Sequence, residues 1–162
     1  MISQSNAGVG LVLLSLLVAY VLTIMPLPEW ANAGRPAWVA MVLIYWVIAQ
    51  PHRVGVVVGW LAGLMLDVLV GNVLGQNALA LAVIAYTAYV LHMRIRVFPI
   101  WQQCLAVLVL VGIYMLVNLM IIRAVRTPNW TMLYWLPVLV SALIWPWVVI
   151  ILDFLQGRFG RH

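Results

Sequence analysis

The stretch Gly55-Val-Val-Val-Gly59-Trp-Leu-Ala-Gly63-Leu-Met-Leu-Asp67-Val-Leu-Val-Gly71-Asn-Val-Leu-Gly75 puts a glycine or an aspartate at every fourth position. On an α-helix a four-residue step turns about 400°, so each member of the series lies about 40° from the one before it. Consecutive members therefore share a face, although the whole series does not. Glycine inside a helix costs about 1 kcal/mol against alanine. In a membrane the missing Cβ lets a neighbouring backbone come close. The spacing predicts a helix crossed tightly at Gly55, Gly59 and Gly63 by another helix of this chain or of a second protein, with the internal partner favoured. Gly71 and Gly75 extend the same four-residue series and are expected to serve as helix-packing positions with it.

The rest of the chain supplies the medium for such a helix. Of 162 residues, 67% are hydrophobic and 7% charged, where a soluble domain carries about 25% charged residues. A fold this small cannot hide so much apolar surface from water, so lipid must cover it. Six apolar segments stand out, over about 9–25, 37–49, 54–70, 74–91, 100–122 and 132–155. They predict an all-α membrane protein, a single bundle of about six transmembrane helices in one integral membrane domain over 1–162. A span needs about 20 residues. Segment 37–49, bracketed by Pro36 and Pro51, falls short and is expected to be tilted through a thinned region or partly re-entrant. The first segment is followed by the small-x-small run Ala31-Asn32-Ala33. Residues 1–8 carry no basic side chain, however, and the apolar run exceeds a signal core, so an uncleaved first span is expected.

All eight basic residues are arginine. With the N-terminus in the cytoplasm, Arg53, Arg94, Arg96, Arg158 and Arg161 fall inside, and Arg35, Arg123 and Arg126 outside. Five against three fits the positive-inside rule and puts both termini in the cytoplasm of an inner-membrane protein. The basic balance then serves topology and membrane lipids, and no clustered basic face points to nucleic acid. His52, His92 and His162 lack metal-ligand spacing, and no metal site or cofactor is expected. Cys104, the single cysteine, is expected as a small core residue. Trp30, Trp38, Trp101, Trp130 and Trp135 lie near span ends, where amphipathic rings prefer the headgroup layer. Trp46, Trp60, Trp145 and Trp147 lie deeper and are expected to pack inside.

Asp67 continues the glycine face inside a predicted span, where a carboxylate needs a partner, water or a proton. Asn72, Gln76 and Asn77 follow it, and Arg35 is expected on the same side, so a polar knot can form there. A helix-end hydrogen bond that fixes the turn into segment 74–91 is one role for Asp67. A ligand or partner contact and proton-coupled transport are the others. Asp153 is expected as an exposed or loosely paired carboxylate at the inner interface. The three carboxylates Glu29, Asp67 and Asp153 cannot be brought side by side for acid–base work. Ser15 and Ser141 lie mid-span with no histidine near them in sequence, and no phosphate-cradling loop is present. An enzyme is not expected.

Arg35-Pro36-Ala37-Trp38, Tyr45-Trp46, Pro51, then Gly59-x3-Gly63-Leu64-x2-Asp67-x3-Gly71, with Leu74-Gly75 and Ala78-Leu79 after it, resembles the bacterial rod shape-determining protein MreD family. Size and span number agree along the chain, while the specific motif covers about 35–79. The family carries a polar or acidic residue where this sequence has Ala37. The resemblance implies a six-helix bundle similar to the substrate-binding components of energy-coupling factor transporters. It also implies a non-enzymatic scaffold of the lateral-wall elongation machinery. Its implied partners are MreC, the actin-like filament system and the glycosyltransferase–transpeptidase pair that makes peptidoglycan. Small residues at Gly8 and Gly10, and at Ala80, Ala82 and Ala85, are candidate contacts for a partner's transmembrane helix. The rival reading is a small-molecule-binding transport component, with Asp67, Asn72, Gln76 and Asn77 lining an outward-facing pocket.

Overall fold

Proline punctuates the apolar runs, because a residue without a backbone N–H ends or begins a helix more readily than it continues one. The structure, a computed structural model, describes residues 2–26, 28, 37–51, 54–71, 74–125 and 135–159. Among these residues there are six helices and no strand. They are α1 (Ile2–Ile24), α2 (Trp38–Ala49), α3 (Val56–Val70), α4 (Gln76–Val97), α5 (Ile100–Val125) and α6 (Leu136–Phe159). The all-α bundle expected from hydropathy is the observed fold. Several helices outrun their apolar segments: α4 continues through Arg94 and Arg96 to Val97. Hydropathy marks where side chains stop being apolar, whereas the backbone goes on helically through arginine, a good helix former.

Helices α4 and α5 and residues 136–155 of α6 are long and apolar enough to cross a membrane. Residues 9–24 of α1, and α2 and α3, are apolar but shorter. The outward surface is itself apolar: Val57, Met93 and Leu143 are 70%, 73% and 75% exposed. So much exposed apolar surface is stable against acyl chains and not against water.

Helix α2 is the core. Every residue from Val39 to Val47 is buried, and α1, α4, α5 and α6 all pack on it. A helix apolar all round belongs where protein surrounds it. Its 12 residues rise only about 18 Å. That shortness needs neither a steep tilt nor a thinned bilayer when neighbouring helices, not lipid, cover its sides. Serines from the flanking helices hold it. Ser141 of α6 accepts the Ala37 N–H at 3.0 Å, and Ser15 of α1 accepts from Trp46 Nε1 at 2.7 Å.

Burial corrects three expectations. Trp46 and Trp145 are buried, but Trp60 and Trp147 are exposed, because depth along a helix does not say which face a residue takes. Cys104 is only partly buried. Ala80 and Ala85 are wholly buried within the bundle, and Ala82 is partly so. The first two are thus packed against this chain's own helices and are not free for a partner.

Candidate functional site

Helices α3 and α4 form an antiparallel pair, the most extensive in the bundle. A Cβ on Gly63 would lie 2.3 Å from Ala78 Cα and 2.5 Å from the Asn77 carbonyl oxygen. One on Gly59 would lie 2.9 Å from Ala85 Cβ and 3.0 Å from the Leu81 carbonyl oxygen. The close approach is therefore internal and is centred on Gly59 and Gly63. Gly55 is not part of it: it precedes the first turn of α3, and a Cβ there would meet nothing within 4 Å. Gly71 and Gly75 do not pack tightly either. They stand at φ +79° and +98°, ending α3 and starting α4, where L side chains are strained. A four-residue spacing thus serves two purposes, packing in the middle and turning at the end.

The turn brings Asp67, 1% exposed, against the first turn of α4. Its Oδ2 accepts from the backbone N–H of Gly75 at 2.9 Å and of Ala78 at 3.4 Å. Its Oδ1 accepts from the backbone N–H and the side-chain Nδ2 of Asn77, both at 2.9 Å. A carboxylate that receives the unpaired amides at the positive end of a helix is stabilised by hydrogen bonds and by the helix dipole. This is the helix-end role among those read from the sequence.

The network extends to α5. Tyr114 donates its hydroxyl to Asn77 Oδ1 at 2.6 Å, and Gln76 Nε2 donates to Asn118 Oδ1 at 3.0 Å. Asn118 Nδ2 in turn donates to the Tyr114 carbonyl at 3.1 Å. Gln76, Asn77, Tyr114 and Asn118 border an open recess of ≈ 230 Å³. Asp67 lies behind that lining, with both oxygens engaged by α4. Asn72 and Arg35 lie outside the described residues. Sequence reading missed Tyr114 and Asn118, which are 37 and 42 residues from their partners. The polar Asn118 inside an otherwise apolar span was the one available signal.

A second polar cluster sits at the opposite end of the bundle. Arg96 Nη2 donates to the carbonyls of Ile48 and Ala49, at 2.6 and 3.1 Å, where α2 ends. A cation there complements the negative end of the helix. Tyr45 of α2 donates its hydroxyl to Asp153 Oδ1, so Asp153, though exposed, is held. Gln103 Nε2 donates to the Ile95 and Phe98 carbonyls at 3.2 and 3.3 Å, and its Oε1 accepts from Trp145 Nε1 at 3.4 Å. No group of His, Cys, Asp and Glu fit to hold a metal occurs among the described residues.

An apolar bundle whose polar side chains cap and cross-link its own helices is a multi-pass membrane protein. Its likeness to known proteins gives its family. The family described as rod shape-determining protein MreD matches residues 4–155. The rod shape-determining protein MreD of Haemophilus influenzae is 30% identical over 148 residues, 90% of each chain. The chain belongs to the MreD family. No solved structure matches it.

Proposed function

We propose that this chain is a non-enzymatic scaffold of the bacterial cell-shape and lateral peptidoglycan elongation complex, docking the transmembrane helix of MreC. Membership of a rod shape-determining family supports the role in cell shape. The polar groups support the scaffold reading, since Asp67 and its neighbours are engaged in helix ends. Placement in the inner membrane with both termini cytoplasmic accords with the arginine count. The glycosyltransferase–transpeptidase pair and the actin-like filament system would be reached through the same complex.

The observation that carries the docking is the outer groove of α1, α2 and α6. It measures ≈ 210 Å³ and is lined by Leu14, Val18, Val42, Trp46 and Ile151 among others. One turn from Leu14 on α1, Gly10 has nothing within 4 Å of an added Cβ. An open glycine beside an apolar groove is the surface a second helix packs on closely. Gly8, its companion in sequence, lies outside the residues whose surroundings are described.

Coexpression and co-purification with MreC tests this. Val18→Trp fills the groove and Gly10→Leu covers the surface beside it, both from outward positions, and each should abolish co-purification while leaving the bundle's thermal stability unchanged. Undiminished capture, with crosslinks mapping to α3 and α4, would refute the docking. The transport reading makes a different forecast for the recess at Gln76, Asn77 and Asn118. There, Asn118→Leu would impair uptake of a nutrient and leave cell shape intact.

A further inference from the structure

We propose that the recess among α2, α4, α5 and α6 binds the headgroup of a zwitterionic phospholipid, its phosphate on Arg96 and its ammonium on Asp153. The recess measures ≈ 300 Å³ and is lined by Tyr45, Arg96, Gln103, Trp145 and Asp153 together with apolar residues of α2 and α6. One water takes up about 30 Å³ of the liquid, so the space suits a group of several heavy atoms better than a single bridging water.

Its charges are opposite and come from two helices that line it, Arg96 from α4 and Asp153 from α6. Arg96 is anchored through Nη2 alone, to the Ile48 and Ala49 carbonyls. The rest of its planar fork is available to a phosphate, which it suits. Tyr45 holds Asp153 through Oδ1, leaving Oδ2 for an ammonium. A simple anion in this space would meet the Asp153 carboxylate, and a simple cation would meet Arg96. A ligand that carries both charges satisfies both walls. Those walls are set in advance, since Gln103 is tied to α4 and the Phe98 turn and receives Trp145. A site fixed before binding loses less freedom when the ligand arrives.

Depth supports a lipid as the source. The recess lies where α2 ends at Ala49, α4 ends at Val97 and α5 begins at Ile100. Trp101, in the first turn of α5, is exposed, and Arg94 lies in the same last turn of α4 as Arg96. Tryptophan and arginine at helix ends mark the headgroup layer. Ile150 and Phe154, 63% and 61% exposed, flank Asp153 on α6 and offer apolar surface to the acyl chains of the same molecule.

Native mass spectrometry of the delipidated full-length protein, given equal amounts of phosphatidylethanolamine and phosphatidylglycerol, tests the assignment. The wild type should retain the zwitterionic lipid about fivefold over the anionic one, the scale of one headgroup charge contact. Asp153→Asn keeps an acceptor for Tyr45 but removes the partner of the ammonium, and should erase or reverse that preference. Arg96→Gln should lower retention of both lipids. A ratio between two lipids on one folded population does not depend on yield, so a loss of stability cannot imitate the reversal. The same ratio in the wild type and in Asp153→Asn would overturn the proposal. Soluble phosphoethanolamine at equal concentration should leave the lipid bound. If it displaced the lipid, the recess would belong to a free zwitterion and the lipid assignment would fall.

Discussion

Gly63 of α3 rests on the backbone of Ala78 in α4, so closely that a single added methyl would stand 2.3 Å from the Ala78 Cα. The obstacle is main chain and cannot turn aside as a side chain would. Gly63→Ala should therefore cost about 2 kcal/mol, strain from overpacking less the helix propensity that alanine adds. Gly59→Ala, which meets Ala85 Cβ at 2.9 Å, should cost about half as much, because overpacking scales with how far the neighbours must shift. Gly10→Ala has nothing within 4 Å and should be neutral or slightly stabilising. Thermal unfolding in detergent ranks the three, and a Gly63→Ala protein as stable as the wild type would refute the close crossing.

The two glycines at the α3–α4 turn answer to a different constraint. Gly71 has φ +79° and closes α3 with its N–H on the Asp67 carbonyl at 3.0 Å. Gly71→Ala should cost about 1 kcal/mol, the penalty of a Cβ in the left-handed region, and Gly71→Asn should cost less. The order Gly, Asn, Ala in melting temperature is the check. Equal melting temperatures for Asn and Ala would argue against a left-handed residue there.

How far the fold could be read from the sequence depends on the range of the interaction. The glycine and aspartate series is local, and its tight crossing and helix-end carboxylate were both legible from it. So was the number of helices among the described residues, which follows from apolar runs and prolines. The central place of α2 was not legible, because an apolar run of that length reads equally well as a short span at the lipid surface. Nor were the polar pairs between helices: Tyr45 meets Asp153 across 108 residues, and Arg96 meets Ile48 across 48. Spacing arguments work within one helix, and here the topology brings these side chains together. For the same reason the inward and outward tryptophans could not be told apart.

Asp67 can be tested as a structural carboxylate. Both its oxygens accept N–H groups where α4 begins, Oδ2 from Gly75 and Oδ1 from Asn77. Asp67→Asn replaces one accepting oxygen with a donor that faces other donors. It should cost about 2 kcal/mol, and Asp67→Ala about 3, because buried amides are left without acceptors. Cell-shape complementation should fall in step with the amount of folded protein. Full stability together with lost complementation would instead make Asp67 a contact for a partner or ligand.

Helix α2 is held at both ends and in the middle by other helices, and that arrangement makes an additive forecast. Ser15 receives Trp46 Nε1 and Ser141 receives the Ala37 N–H. Ser15→Ala and Ser141→Ala each leave a donor unpaired in an apolar interior and should each cost about 1–2 kcal/mol. The two serines come from different helices and share no partner, so the double variant should lose the sum of the single losses. Ser141→Ala should also speed hydrogen exchange at the start of α2, where Ala37 sits, more than near its end, where Arg96 grips the Ile48 and Ala49 carbonyls. Uniform acceleration along α2 would mean that the helix moves as one body and that Ser141 does not pin its beginning.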